Sequence, residues 1–199
     1  MKEMKNIYSE DAFTGLEAAI VLIAFVVVAA VFSYVVLGAG FFTSQTAQAT
    51  VHTGVQQASS SMELVGNVYG IADAGMTRLN YVNVTVALTA GGTPMDLSAM
   101  VVSYNDNNAG HNANLTYKAT CPVLSDITSQ DWCIPQRINN VTASGAMLEN
   151  NAQLIIAVGL PASATPNTKI SINFQPAVGA VLPITRTIPG GLSAIQPLY

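Results

Sequence analysis

From Ala18 to Phe42 this chain runs 25 residues without a charge. About 20 apolar residues suffice to cross a bilayer as a helix. This run is apolar on every side, so a helix built from it is buried all round, in lipid or in protein. A lone carboxylate, Glu17, stands at its start, and a polar segment, MKEMKNIYSEDA, precedes it. A secretory signal has a 7–15-residue apolar stretch with a small-residue cleavage site close behind. Here the stretch is too long, and Gly38-Ala39-Gly40 lies inside it. Lys2 and Lys5 are the nearby bases, which points the N-terminus to the cytoplasm and puts the bulk of the chain outside.

Beyond Phe42 the sequence turns polar but keeps a helical spacing, with Val51, Val55, Ala58 and Met62 on one face. The pattern predicts one helix over residues 13–61. At about 1.5 Å per residue that helix reaches about 70 Å, against a hydrocarbon core of about 30 Å. Something other than lipid must receive the remainder. Gly38 and Gly40 weaken the middle by about 1 kcal/mol each relative to alanine. They mark either a flexible exit from the membrane or a place where helices pack closely or bend.

After a connector at 62–79 the period changes to two. In Tyr81–Leu88, Val82, Val84, Val86 and Leu88 face one way and Tyr81, Asn83 and Thr85 the other. Further strand-like runs are Leu97–Tyr104, Asn114–Ala119, Ala152–Val158, Ile170–Gln175 and Leu182–Thr187, separated by Gly-, Pro- and Asn-rich turns. The expected fold class is α+β: a long N-terminal hydrophobic helix, then an all-β immunoglobulin-like sandwich over residues 80–199. Only 9% of the chain is charged, and Asn, Thr, Ser and Gln supply the polarity. No stripe of Lys and Arg exists, which excludes nucleic-acid binding.

A leader ahead of the apolar stretch, not behind it, is the mark of proteins stored in a membrane and then built into a filament. Residues 13–57 resemble an archaellin, the subunit of the archaeal motility filament, and specifically resemble archaellins of methanogens. The most specific element is FTGLEAAIVLIAFVVVAAVFSYVVLGAGFF. The resemblance implies a leader, residues 1–12, removed by a type IV prepilin-like peptidase between Ala12 and Phe13. Gly15 then becomes the third mature residue and Glu17 the fifth. Many such leaders end in a basic residue plus Gly or Ala, whereas this one ends Asp11-Ala12. The resemblance also implies a precursor in the cytoplasmic membrane and an extracellular filament at the cell surface, built from this chain alone or with paralogous subunits. An assembly ATPase and a platform protein would drive extraction. Nucleotide binding lies outside this chain, which has neither a P-loop nor a G-x-G-x-x-G.

A carboxylate at an apolar helix start is costly in lipid unless paired. With Phe13 as the mature terminus, its new α-amine is a partner for Glu17, from the same chain or a neighbour. The plainer reading places Glu17 at headgroup depth as a boundary marker. Three N-x-[ST] sequons, at Asn83, Asn114 and Asn140, lie outside the membrane segment, and archaellins are commonly N-glycosylated. Cys121 and Cys133 suggest a disulfide in an extracellular β domain, worth about 2–3 kcal/mol; free thiols are the alternative in reducing surroundings. Asn105–Gly110 resembles an oxygen-rich calcium loop but lacks the closing Glu, so it reads as a turn. With two histidines and no G-x-S-x-G, no catalytic, cofactor or metal constellation is legible. The chain reads as a structural protein and not an enzyme. An adhesive type IV-like pilin shares the helix logic. A membrane-anchored surface-binding protein would need a linker after the span, and the helical spacing through Ser61 argues against one.

Overall fold

The computed structural model describes residues 4–108, 110–121, 127–139 and 145–199. Two units emerge, residues 1–52 and residues 53–199. The first is the body of one helix, α1, Met4–Ser59. Helix is the only single-segment way to satisfy every backbone group in an apolar medium, and no proline interrupts the run. The helix starts at Met4, inside the segment expected as a separate leader, and ends at Ser59 instead of Ser61. Gly38 and Gly40 sit within it, with nothing within 4 Å of where a Cβ would be. Beyond the apolar run, the hydroxyls of Thr43, Thr46 and Thr50 each donate to the carbonyl four residues back, of Ala39, Phe42 and Thr46, at 2.8, 2.9 and 2.8 Å.

The second unit is β-rich. In chain order its strands are β1 (Met62–Leu64), β2 (Val68–Ala72), β3 (Leu79–Leu88), β4 (Met95–Asp96), β5 (Val101–Asp106), β6 (His111–Lys118), β7 (Asp131–Ile138), β8 (Met147–Leu148), β9 (Gln153–Gly159), β10 (Lys169–Gln175), β11 (Leu182–Thr187) and β12 (Ile195–Leu198). The segment 62–79, expected as a connector, therefore holds two strands of the sheet. Leu97–Ala99, expected as the start of a strand, is a 3-10 turn capped by Asp96, whose carboxylate accepts the Ser98 N–H at 2.8 Å.

Among the described residues ten strands form one sheet, nine of them along the path β11-β10-β5-β6-β7-β9-β3-β2-β12 and the tenth, β1, also on β3; β4 and β8 pair separately. The path divides into two layers at the β6–β7 pair, which is parallel where the others are antiparallel. One layer is β11-β10-β5-β6 and the other β7-β9-β3-β2-β12. Their inward faces meet in one core: Val82, Val84 and Val86 from β3, Ile156 from β9, and Ile172 and Phe174 from β10. Trp132 lies fully buried in it, its ring tilted against Tyr117 at 4.7 Å. The two ends of the path come together where the Thr187 N–H donates to the Tyr199 carbonyl at 3.2 Å. Layered β structure after a long apolar helix is the architecture the alternation predicts.

Candidate assembly and modification sites

The apolar side chains of α1 are exposed from Leu16 to Phe42, Phe25, Phe32 and Tyr34 among them. Among the described residues α1 is the one helix long and apolar enough to cross a membrane. At about 25 cal/mol per Å² of apolar surface removed from water, a bare helix of this kind requires cover. Glu17 is an exposed residue of this helix, and Gly15 has open space around it. Ala12 and Phe13 fall within α1, which runs through the expected cut without a break.

Ser60 and Ser61, which follow α1, are hydrogen-bonded to the β unit they belong to. Ser60 is buried. Its hydroxyl shares a hydrogen bond with Thr93 at 2.6 Å, and its carbonyl accepts the Ala180 N–H at 3.3 Å. Ser61 does the same toward Thr89, hydroxyl to hydroxyl at 3.0 Å and carbonyl to N–H at 3.1 Å. Gly179 makes this approach possible: its φ is +115°, and a Cβ there would lie 1.8 Å from the Ser60 oxygen. A cavity of about 250 Å³ beside it is lined by Ser60, Thr93, Met95 and Val178, with Asp96 its one ionisable group.

The structure separates the sequons. Asn114 and Thr116 are both exposed on β6. Asn83 lies on the central strand β3, between Tyr69 of β2 and Ala157 of β9. It is half-buried, and its carboxamide oxygen is buried without a hydrogen-bond partner among the described residues. Asn140 lies outside the described residues. Alternation alone put Asn83 on an outward face, and it is outward; what alternation does not reveal is how crowded that face is.

Cys121 and Cys133 form a disulfide, with Cα atoms 5.3 Å apart. Cys133, Ile127 and Ala157 make a second small core on the outer side of β7 and β9, with Tyr81 and Cys121 against it. Ile127 and Thr128 thus lie over the outer face, where Gly159 lets the Thr128 carbonyl approach.

The loop after β5 is a hydrogen-bond clamp. The Asp106 carboxylate accepts the N–H groups of Asn108 and Gly110 at 2.8 and 2.7 Å, and the hydroxyls of Tyr104 at 2.8 Å and Ser163 at 2.5 Å. Asn108 reaches Thr168 at 2.6 Å, and Asn107 accepts the Lys169 N–H at 3.0 Å. Burial pushes the Asp106 carboxyl up, but the four donors outweigh it and hold it below the ordinary 3.8. Burial first, then the bond and charge of Asp106, raise the Tyr104 hydroxyl above 10.0. Each oxygen of the Asp106 carboxylate thus accepts two hydrogen bonds from within the chain. Among the described residues no three of His, Cys, Asp and Glu gather as metal ligands.

A family model described as archaeal-type flagellin matches residues 12–186. "Probable flagellin 1" of Archaeoglobus fulgidus is 38% identical over 98% of both chains. The "24 kDa flagellin" of Methanospirillum hungatei is 88% identical over 32 residues, 16% of this chain and all of that sequence. Among solved structures, the archaeal flagellum of Methanospirillum hungatei strain JF1 superposes with a TM-score of 0.69 at 31% identity, covering 92% of this chain and 98% of that one. Archaeal flagellin FlaB1 of Methanocaldococcus jannaschii shares the fold, with a TM-score of 0.59 at 16% identity over 69% of this chain and 95% of that one.

Proposed function

Because the chain belongs to the archaeal-type flagellin family, and is therefore a structural filament subunit, we propose that it waits in the cytoplasmic membrane as a precursor, loses residues 1–12 to a prepilin-like peptidase, and polymerises through the mature helix into the extracellular archaellum. The observation that carries this reading is the exposed apolar surface of α1. Lipid covers it before assembly and neighbouring helices cover it after. Apolar contact replaces apolar contact, so hydrophobic burial is nearly balanced between the two states. Packing and directed extraction supply the bias, the latter from an assembly ATPase and a platform protein. The family-model match begins at residue 12, beside the proposed cut.

Intact-mass and N-terminal peptide spectrometry on filaments sheared from native cells tests the reading. The expected subunit begins at Phe13. A chain that stays in the membrane fraction with Met1-Lys2 attached would be an anchored surface protein.

Glu17 serves assembly by pairing with an N-terminal amine. Glu17→Ala is expected to lower filament yield while membrane insertion stays at the wild-type level; equal loss of both would sink the pairing role. Of the sequons, exposed Asn114 is the favoured glycan acceptor and half-buried Asn83 the disfavoured one, with Asn140 a third candidate by sequence. Asn114→Gln is expected to remove one glycan mass from the subunit. An unchanged subunit mass would show that Asn114 is unmodified.

A further inference from the structure

Where β5 and β6 pair, Val102 stands opposite Leu115 and Tyr104 opposite Asn112, so β6 spends one residue more than β5 over the same stretch. The extra residue makes a bulge, a device that re-aims a side chain. Ala113 and Asn114 occupy it, both exposed, while Leu115 beside them is buried. Leu115 points into the core with Val102, so the bulge stands opposite Ser103 on the outward side of the β11-β10-β5-β6 layer. The exposed sequon thus looks out over the face that β5, β10 and β11 build.

That face is polar. Its rows run Thr185–Ser171–Asn105 and Pro183–Asn173–Ser103. An open groove of about 360 Å³ follows the first row, lined by Asn105, Asp106, Asn107, Lys169, Ser171 and Thr185. The Asp106 carboxylate is already spent on its four donors. What remains is a set of neutral donors and acceptors with one cation. The Ser171 and Thr185 hydroxyls share a hydrogen bond at 3.4 Å and keep one proton between them to donate. The Asn107 oxygen is taken by the Lys169 N–H, which leaves its amide end facing outward chemistry. Lys169 forms no ion pair among the described residues. A sugar fits this set, because each of its hydroxyls both donates and accepts. A free anion would meet the charge of Asp106 as well as that of Lys169. No aromatic ring lines the groove for a sugar to stack on, so a free saccharide would be held weakly.

We propose that this groove seats the glycan carried by Asn114 of the same chain. The proposal rests on the reading of Asn114 as a glycan acceptor and adds where that glycan lies. At about 4.8 Å between strands and about 3.3 Å per residue along them, Asn105 stands about 8 Å from the bulge and Ser171 about 12 Å, within reach of a short oligosaccharide. The covalent bond supplies what the groove lacks in strength. A tethered sugar is present at high effective concentration, and hydrogen bonds too weak to capture a free one then hold it. The seat lies on one side of the sequon only. In the other direction along β6 stands Lys118, paired with Asp131 at 3.5 Å.

Lysine acetylation tests the seat, because Lys118 and Lys169 are the two lysines of the β unit. The glycosylated chain, taken from native filaments and dissociated in detergent, is labelled with N-hydroxysuccinimide acetate beside the Asn114→Gln chain prepared in the same way. Lys169 is expected to react several-fold more slowly in the glycosylated chain, while Lys118 reacts alike in both. Equal rates at Lys169 overturn the proposal. So does equal slowing of both lysines, the mark of a glycan that sweeps freely. Slowing of Lys169 in filaments but not in the dissociated chain would give the groove to a neighbour's glycan, and overturns the seat within one chain. Slowing of Lys169 in Asn114→Gln by an equal concentration of released glycan would show that no tether is needed, and also counts against it. Ser171→Ala in the glycosylated chain is expected to return Lys169 toward the Asn114→Gln rate; an unchanged rate removes the groove from the contact. If native filaments carry no glycan mass on Asn114, the acceptor reading falls and the seat with it, while the filament reading stands.

Discussion

Gly159→Ala is expected to destabilise the β domain by about 3 kcal/mol, the upper end of what overpacking a tight site costs. A Cβ at Gly159 would lie 1.8 Å from the Thr128 carbonyl oxygen, 2.7 Å from its carbon and 2.9 Å from Ile127 Cγ2. The first two are backbone atoms, which cannot rotate away as a side-chain tip does. The segment is also held from three directions. Its carbonyl accepts the Asp131 N–H at 3.1 Å, the Thr128 hydroxyl donates to the Asp131 carboxylate at 2.6 Å, and the Cys121–Cys133 bridge closes the connection. Either β9 bows inward or the connection lifts, opening the small core under Ile127. Trp132, the one tryptophan and fully buried, reports the transition by fluorescence during urea unfolding of the full chain in detergent. A midpoint within error of wild type would show that the connection yields freely.

Asp106→Ala is expected to cost about 2–4 kcal/mol, because it leaves the buried Tyr104 hydroxyl without its partner and frees three further donors. Asp106→Asn keeps the shape and one carbonyl oxygen, and the hydroxyls of Tyr104 and Ser163 can turn to accept, so it is expected to cost less. Equal losses for the two variants would argue that packing, and not hydrogen bonding, holds the loop. The acid limb follows from the same contacts. The folded pKa of Asp106 lies below its unfolded value near 3.8. Its contribution is therefore fully present above that value and is lost as pH falls through the folded pKa. The Asp73 carboxyl is held down too, first by the Thr77 N–H and hydroxyl, so it acts in the same direction. Wild-type stability is expected to fall below about pH 3.8 more steeply than that of Asp106→Ala. Parallel curves would remove Asp106 from the acid transition.

Legibility from sequence followed the strength of the period. The helix was plain because 25 uncharged residues admit few alternatives, and β3 because its valines alternate without a break. Three of the strands that escaped notice carry a residue that usually breaks one, and the others, β1, β4 and β8, are only two or three residues long. In β2 it is Gly70, where a Cβ would meet Leu79 at 2.6 Å. In β7 it is Pro135, at a register shift in the pairing with β9. In β12 it is Pro197, on a strand that pairs only with β2 in the sheet path, where a missing N–H is tolerated. Leu97–Ala99 read as strand because leucine and alanine alternate with serine, but the Asp96 cap turns the chain there. The sequons looked equivalent as motifs. Their difference is tertiary, because Asn83 is flanked by Tyr69 of β2 and Ala157 of β9, pairings that the motif itself does not carry. The parallel β6–β7 pair was hidden for the same reason.

The threonines of α1 give the helix a second use. On the proposed assembly route, residues 43–57 would pass from water outside the membrane to the interior of the filament. A side chain suited to one is usually penalised in the other. Thr43, Thr46 and Thr50 escape the dilemma because each hydroxyl already donates to its own helix. Transfer into a dry interior breaks no donor bond to solvent, and what is presented outward is largely methyl. On that route the segment would change its surroundings carrying these three hydrogen bonds with it.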